Sequence, residues 1–374
     1  MSWPLVKLFE CCEIIMGQAP VGSSYNEKGE GHALIAGAGD FGELTPKPKK
    51  FTTAASKLSK KEDLILCIRA TIGDLNWSND EYCLGRGVAG LRPKANLDKN
   101  YLWYFITANK EQLASKGTGS TFKQVSRVII SDWEIPLPPL DKQKRIAAIL
   151  DKADAIRRKR QQAIKLADDF LRSVFLDMFG ADLQRSTNVT KFGDVSILDA
   201  KMVDPREEEY LDLLHIGPDR IEKNTGKLLP ALTAREERLI SKKFLFDEQY
   251  ILYSKIRPYL RKVALPDFRA LCSADMYPVK PVQGKVTREF IWMLLLSDYF
   301  DNYVLSLPAR ANIPKLNKTE LAGFEFSLPE YSKVEKFTEI VKDCFERSNA
   351  ISTSYAESEN LFNSLSQKAF AGEL

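Results

Sequence analysis

Between residues 141 and 180 the apolar positions of this chain fall at alternating steps of three and four, the pattern of a helix with one narrow apolar seam. The seam reads Ile146, Ile149, Ala153, Ile156, Arg160, Ala163, Ala167, Phe170 and Val174, and Lys152, Arg157, Arg158, Lys159 and Lys165 lie off it. Gly180 is expected to end the helix, which at 1.5 Å per residue is roughly 55–60 Å long. A single seam on so long a helix requires a partner helix. Before residue 140 the pattern changes to short apolar runs bounded by Gly and Pro. These predict strands at 63–69 and 87–93, a short amphipathic helix at 101–109, a polar loop at 115–124 and a strand ending in Ile135-Pro-Leu-Pro-Pro139.

The partner helix is supplied by a repeat. A shift of 191 positions carries the seam onto Phe337, Ile340, Cys344, Arg347, Ile351, Ser354, Ser358, Leu361 and Leu365. Arg160 and Arg347 intrude at different levels and can fix the register of an intramolecular pair. The preceding regions also correspond. Lys7-Leu-Phe-Glu10 is echoed by Lys191-Phe-Gly-Asp194, Cys67-Ile-Arg69 by Lys255-Ile-Arg257, Leu91-Arg-Pro93 by Val279-Lys-Pro281, and Tyr101-Leu-Trp103 by Phe290-Ile-Trp292. The predicted fold class is therefore α/β (α+β). Two tandem recognition domains (1–140 and 186–330) are each followed by a long helix (141–180 and 331–374). The helices pair antiparallel as an intramolecular coiled coil, related by a pseudo-twofold axis, and this expectation places the domains at opposite ends of the pair.

At 374 residues, 44% hydrophobic and 28% charged, the chain has the composition of a soluble globular protein. Its net charge of +4 permits nucleic-acid binding without arguing for it. Six cysteines without a C-x-x-C pair point to reduced buried thiols, and the presence of only two histidines argues against a zinc site. The N-terminus lacks a signal-peptide pattern and no apolar stretch reaches the ~20 residues of a membrane span, so a cytoplasmic location is expected.

The junction Ile135-Pro-Leu-Pro-Pro-Leu140, followed by Gln143, Ile146, Ala147 and Ile149-Leu-Asp151, is long and specific. Here the chain closely resembles the specificity (S) subunits of type I DNA restriction-modification systems, in which such a segment joins a target-recognition domain to a spacer helix. The resemblance extends to Trp3-Pro-Leu-Val-Lys-Leu8, to residues 63–73, to Ser254-Lys-Ile-Arg-Pro-Tyr-Leu260, and to the terminal Ser364-Leu-Ser-Gln-Lys-Ala-Phe-Ala-Gly-Glu-Leu374. Two places depart from it: Ala70 stands where family members often carry glycine, and Tyr331-Ser-Lys-Val334 lacks the glutamine present at Gln143.

The resemblance implies a non-catalytic reader of a bipartite, asymmetric double-stranded DNA site. It would position two methyltransferase (M) subunits that methylate adenine N6 with S-adenosylmethionine. Two restriction (R) subunits using ATP and Mg would complete the complex, so no cofactor belongs to this chain. The chain carries no amino-methyltransferase, glycine-rich nucleotide or P-loop motif of its own. Three alternatives stay open: the specificity subunit of a type IIB-like system, a coiled-coil scaffold without a DNA role, and an independent enzyme.

Candidate DNA contacts cluster in four segments. Arg69, Thr71, Lys255, Arg257, Tyr259, Arg261 and Lys262 follow apolar strands; an arginine there either meets phosphate or guanine, or pairs with a carboxylate that holds the turn. Lys116, Ser120, Thr121, Lys123 and Gln124 in one polar loop, and Arg310, Asn312 and Lys315 in its counterpart, supply hydroxyls, cations and amides suited to phosphates and adenine edges. A solvated loop is the plain alternative for any single residue. The basic run 157–160 reads as a handle for DNA, a solvated helix face or a docking surface for a partner subunit.

Overall fold

The computed structural model describes residues 3–119, 123–185, 187–308 and 314–374. The chain divides into two compact units, residues 1–160 with 353–374, and residues 161–352. The long helices Leu140–Leu183 and Tyr331–Ala371 are accordingly not separate bodies, since each unit contains a portion of both. Gly180 lies inside the first helix, which runs three residues beyond it.

In the first unit the fully buried strand Leu64–Cys67 lies between Val88–Pro93 and Leu75–Trp77, and Cys12–Met16 completes a four-stranded antiparallel sheet. A second four-stranded sheet has the order Tyr25–Asn26, Lys50–Thr52, His32–Ile35, Cys83–Leu84, with its last pair parallel. The strand pair Leu5–Lys7 and Glu134–Pro136 closes the domain. Asp98 caps helix Lys99–Ala108 by accepting hydrogen bonds from the amides of Asn100 and Tyr101. Its buried face (Tyr101, Leu102, Phe105) fills the core. Gln143 is fully buried; its amide donates to the carbonyls of Asn96 and Pro138 and accepts from the Asp98 amide, which ties the spacer helix to the domain.

The second unit repeats this frame, but the expected echo of Cys67-Ile-Arg69 in Lys255-Ile-Arg257 is corrected by one position: Leu64 and Ile251 stand opposite Leu91 and Val279, so Arg69 corresponds to Ile256 and Ala70 to Arg257. Ile251–Ser254, also fully buried, is flanked by Met276–Pro281 and Val263–Ala264, and Ser196–Ile197 forms the edge. Val189–Lys191 pairs with Glu325–Ser327. The other sheet differs in order: Met202–Val203, Lys243–Phe246, Ala270–Cys272, His215–Ile216. Here Ala270–Cys272 pairs directly with Lys243–Phe246, whereas in the first unit the strand His32–Ile35 occupies that place. The repeat is therefore strict in the sheet around the buried central strand and relaxed in the sheet beyond it.

Within each unit the helix segments run antiparallel. In the first, Ile146, Leu150 and Ala153 share a core with Phe362 and Ala369; the Arg157 guanidinium sits 4.9 Å from the Phe362 ring centroid, and Arg160 Nη1 donates to the Ser354 carbonyl at 2.6 Å. In the second, Phe175 and Phe179 each lie 5.5 Å from Phe337, and Lys333 pairs with Asp182 at 2.6 Å. The expected seam is corrected by one flank. Ile146, Ala153 and Phe337 are buried, and Ile149, Ala163, Val174, Ile340, Cys344, Ile351 and Leu365 are half-buried. Ile156, Phe170 and Leu361, however, are 47%, 53% and 54% exposed, while their neighbours Leu171 and Phe362 are buried. Successive helix residues point about 100° apart, so a row shared by 146, 153, 160 and 167 has an apolar flank on each side. The buried flank is the one that also faces the recognition domain's aromatic residues, Tyr104 against Phe362 and Phe290 against Phe175.

Among the described residues no helix is long and apolar enough to cross a membrane. All six cysteines are free.

Candidate nucleic-acid interface

Each unit ends its buried central strand in a turn that is hydrogen-bonded to a loop more than fifty residues later. In the first, the chain leaves Leu64–Cys67 through Arg69, passes Ala70 (φ 57°) and Gly73 (φ 94°), and returns. The left-handed conformation of Ala70 is one that glycine adopts more readily. The Ile68 carbonyl accepts from the Val125 amide at 3.0 Å, and the backbones of Thr118 and Gln124 bond to each other in both directions. Arg69 Nε donates to Gln124 Oε1 at 2.7 Å. Arg69, Thr71, Lys116, Lys123 and Gln124 are thereby brought together. Thr71, Lys116 and Lys123 are exposed, and the two Nη groups of Arg69 have no partner among the described residues. Gln124 positions Arg69, which occupies part of the hydrogen-bonding capacity of its carbonyl oxygen.

In the second unit the same staple forms from the Arg257 amide to the Pro314 carbonyl (2.8 Å) and from the Leu316 amide to the Lys255 carbonyl (2.9 Å). Arg257 (φ 50°) and Arg261 (φ 46°) both adopt the left-handed conformation around the turn Pro258–Leu260, which costs about 1–3 kcal/mol for each. Arg261 offsets that cost by pairing with Asp298 (2.6 Å) and Asp301 (2.7 Å). Its expected role as a DNA contact is therefore corrected: it is the arginine that holds the turn. Lys262 donates to the Pro218 carbonyl (2.6 Å), and Lys255 donates to the Ala274 carbonyl (2.5 Å) beside the Tyr277 ring. Both are spent on structure, since an ammonium already bonded to a carbonyl must give up that bond to reach a phosphate. Arg257, Tyr259 and Lys315 remain exposed without a side-chain partner among the described residues. Ser120, Thr121, Arg310 and Asn312 lie outside the described residues.

Two features escaped the sequence reading. Lys47, Lys49, Lys50, Lys57, Lys60 and Lys61 are all exposed, and none pairs with a carboxylate among the described residues. No acidic residue interrupts that segment, a signal the overall charge of +4 conceals. In the second unit several exposed arginines are paired with carboxylates: Arg206 with Asp204 (2.6 Å), Arg235 with Asp212 (2.9 Å) and Arg269 with Glu209 (2.5 Å). The other feature is the exposed Arg86, between Gly85 and Gly87.

Among the described residues no group of His, Cys, Asp and Glu can hold a metal ion. Burial raises the thiol of Cys11 to about 11 and raises those of Cys12, Cys83, Cys272 and Cys344 above their ordinary value, so these are not ready nucleophiles.

Each unit thus presents exposed cations on a turn stapled to its buried central strand. Residues 2–166 match the family model of the "Type I restriction modification DNA specificity domain". Over those residues the chain is similar to the DNA specificity domain of type I restriction-modification systems. It is 34% identical over 181 residues to a Methanocaldococcus jannaschii protein named as the type I restriction enzyme MjaX specificity subunit. That match covers 47% of this chain and 43% of the relative, so it spans less than half of that protein's length. The EcoDI specificity subunit of Escherichia coli is 26% identical over 314 residues, covering 73% of this chain and 70% of the relative. The fold is that of the crystal structure of a type I S subunit from M. genitalium (TM-score 0.60, 13% identity, covering 99% of this chain and 96% of that one). A structure reported for complex assembly and conformational transition of a type I R-M system aligns at TM-score 0.51, with 16% identity, covering 100% of this chain and 98% of that one.

Proposed function

We propose that this chain reads a bipartite, asymmetric duplex site, one segment per unit, and positions two adenine-N6 methyltransferase subunits on it. The observation that carries the reading is the staple found in both units. One frame presents Arg69, Thr71, Lys116 and Lys123 in the first and Arg257, Tyr259 and Lys315 in the second. A shared frame with different exposed side chains suits two half-sites of different sequence. The internal repeat gives two equivalent places for a partner, which supports two methyltransferase subunits for one specificity subunit. The exposed Leu166 and Phe170 on the first long helix suit an apolar helical face of such a partner. S-adenosylmethionine, and ATP and Mg for the restriction subunits, then belong to the partners, and this chain contributes specificity and spacing.

The test is to co-express the chain with the methyltransferase encoded beside it in a methylation-free host and to map modified adenines by single-molecule sequencing. One two-part motif is the expected result. Unmodified DNA from an assembled complex with a competent methyltransferase would refute the reading. Exchanging residues 115–124 should change one part of the motif and leave the other intact.

A further inference from the structure

The turn that carries Arg86 is built twice, with the same hydrogen bonds and a different side chain at its tip. In the first unit the Gly85 amide donates to the Ile35 carbonyl (2.8 Å), the Val88 amide to the Gly85 carbonyl (3.1 Å), and the Ile68 amide to the Gly87 carbonyl (2.9 Å). In the second, the Ser273 amide donates to the Ile216 carbonyl (3.0 Å), the Met276 amide to the Ser273 carbonyl (3.0 Å), and the Lys255 amide to the Asp275 carbonyl (3.1 Å). Ala274 stands where the first unit has Arg86, and its carbonyl is taken by Lys255 Nζ. The frame therefore tolerates a side chain as small as alanine at this position, so the arginine is not needed to build the turn.

The backbone around Arg86 is fixed on both sides. A Cβ on Gly87 would lie 2.2 Å from the Ala36 carbonyl oxygen, and one on Gly85 would lie 3.0 Å from Ala36 Cα. Arg86 is exposed and has no ion pair, hydrogen bond or ring partner among the described residues. The turn also belongs to the stapled surface, because Gly87 bonds to Ile68, and Ile68 bonds to Val125 beside Gln124. An unpartnered guanidinium on a rigid backbone differs from the flexible lysines at 47–61, whose compact charges suit phosphate from any direction.

We infer that Arg86 is a base-reading residue of the first unit, donating in bidentate fashion to a guanine edge in the major groove. The inference rests on the DNA reading proposed above. A bidentate arginine–guanine contact discriminates against the wrong base by roughly 5- to 150-fold. Its counterpart Ala274 offers no such contact, so the asymmetry at this turn becomes an asymmetry between the half-sites.

The experiment compares the wild-type complex with R86A and R86K, each co-expressed with the methyltransferase, by adenine mapping and by binding of the purified complexes to matched duplexes at several salt concentrations. Both variants are expected to accept other bases at one position of one half-site, to leave the other half-site unchanged, and, for R86K, to keep the wild-type salt slope. An unchanged motif overturns the inference. So does a uniform loss on every sequence that lysine restores, with a slope shallower by about 0.9 in R86A, because that is the behaviour of a phosphate contact. A wild-type complex that assembles without any motif refutes the DNA reading itself, and Arg86's part with it.

Discussion

Leu361 and Phe362 are adjacent on the second long helix, and truncating each should have very different effects. Phe362 is 3% exposed, packs edge-on against Tyr104 at 5.9 Å, and lies under the Arg157 guanidinium at 4.9 Å. Leu361 is 54% exposed. Removing a buried Phe side chain costs about 3–5 kcal/mol, and an exposed truncation stays within about 0.5 kcal/mol. For a unit of this size, 1 kcal/mol moves the midpoint by about 2–4 °C. F362A should therefore lower the first unit's Tm by roughly 6–20 °C, and L361A by about 2 °C or less. Tryptophan fluorescence follows this unit selectively, because Trp3, Trp77, Trp103 and Trp133 belong to it and only Trp292 lies in the other. Circular dichroism at 222 nm follows both units. Equal losses, or a larger loss from L361A, would refute the assignment of the buried flank.

Asp63 is buried, accepts Arg92 Nε (2.8 Å), Arg92 Nη2 (2.7 Å) and the Lys60 amide (2.7 Å), and D63A should cost about 2–4 kcal/mol by urea denaturation, the Arg92 side chain being a quarter exposed and keeping Glu13; a loss under 0.5 kcal/mol would contradict the pairing. Replacing Lys47, Lys49, Lys50 and Lys57 together with glutamine should make the salt dependence of DNA binding by the methyltransferase complex shallower by about 3–4 in log–log slope, with the methylated motif unchanged; an unchanged slope would remove these lysines from the interface. Desolvation holds the Asp168 carboxyl above its ordinary value of 3.8. A raised folded-state value means that the stability tied to this group is fully present below its unfolded value and is lost as pH rises through the folded one. D168N should accordingly raise Tm at pH 7, by an amount that shrinks as the pH is lowered toward 4, and a gain that does not vary with pH would count against burial as the cause.

Much of the architecture was legible in the order of residues. Two helices at a shift of 191 and the strands at 63–69 and 87–93 follow from local periodicity and turn chemistry, which act over a few neighbouring residues, whereas the register that sets Arg69 against Ile256 rather than Arg257 is fixed by strand pairing. The family resemblance was likewise carried by contiguous motifs. The fate of individual cations was less legible, because an arginine's role depends on what lies within 4 Å of it. Arg261 and Arg257 stand four positions apart in similar settings, yet one is locked between Asp298 and Asp301 and the other is unpartnered among the described residues.

What the sequence by itself determined is therefore the repeated frame, since hydrophobic period and proline placement constrain each segment without reference to any other. What only the tertiary structure decided is which side of that frame is used. The helix buries Phe362 in place of Leu361 because a domain 250 residues away presents Tyr104 there. Gln124 holds Arg69 because a staple across 55 residues brings them to 2.7 Å. Lys255 is held by the Ala274 carbonyl because a turn 19 residues later passes beside it, while Arg86 at the matching tip of the first unit has no side-chain partner among the described residues. Contacts between residues far apart in sequence have no local signature, and those contacts decide which cations stay exposed and which are bound into the scaffold.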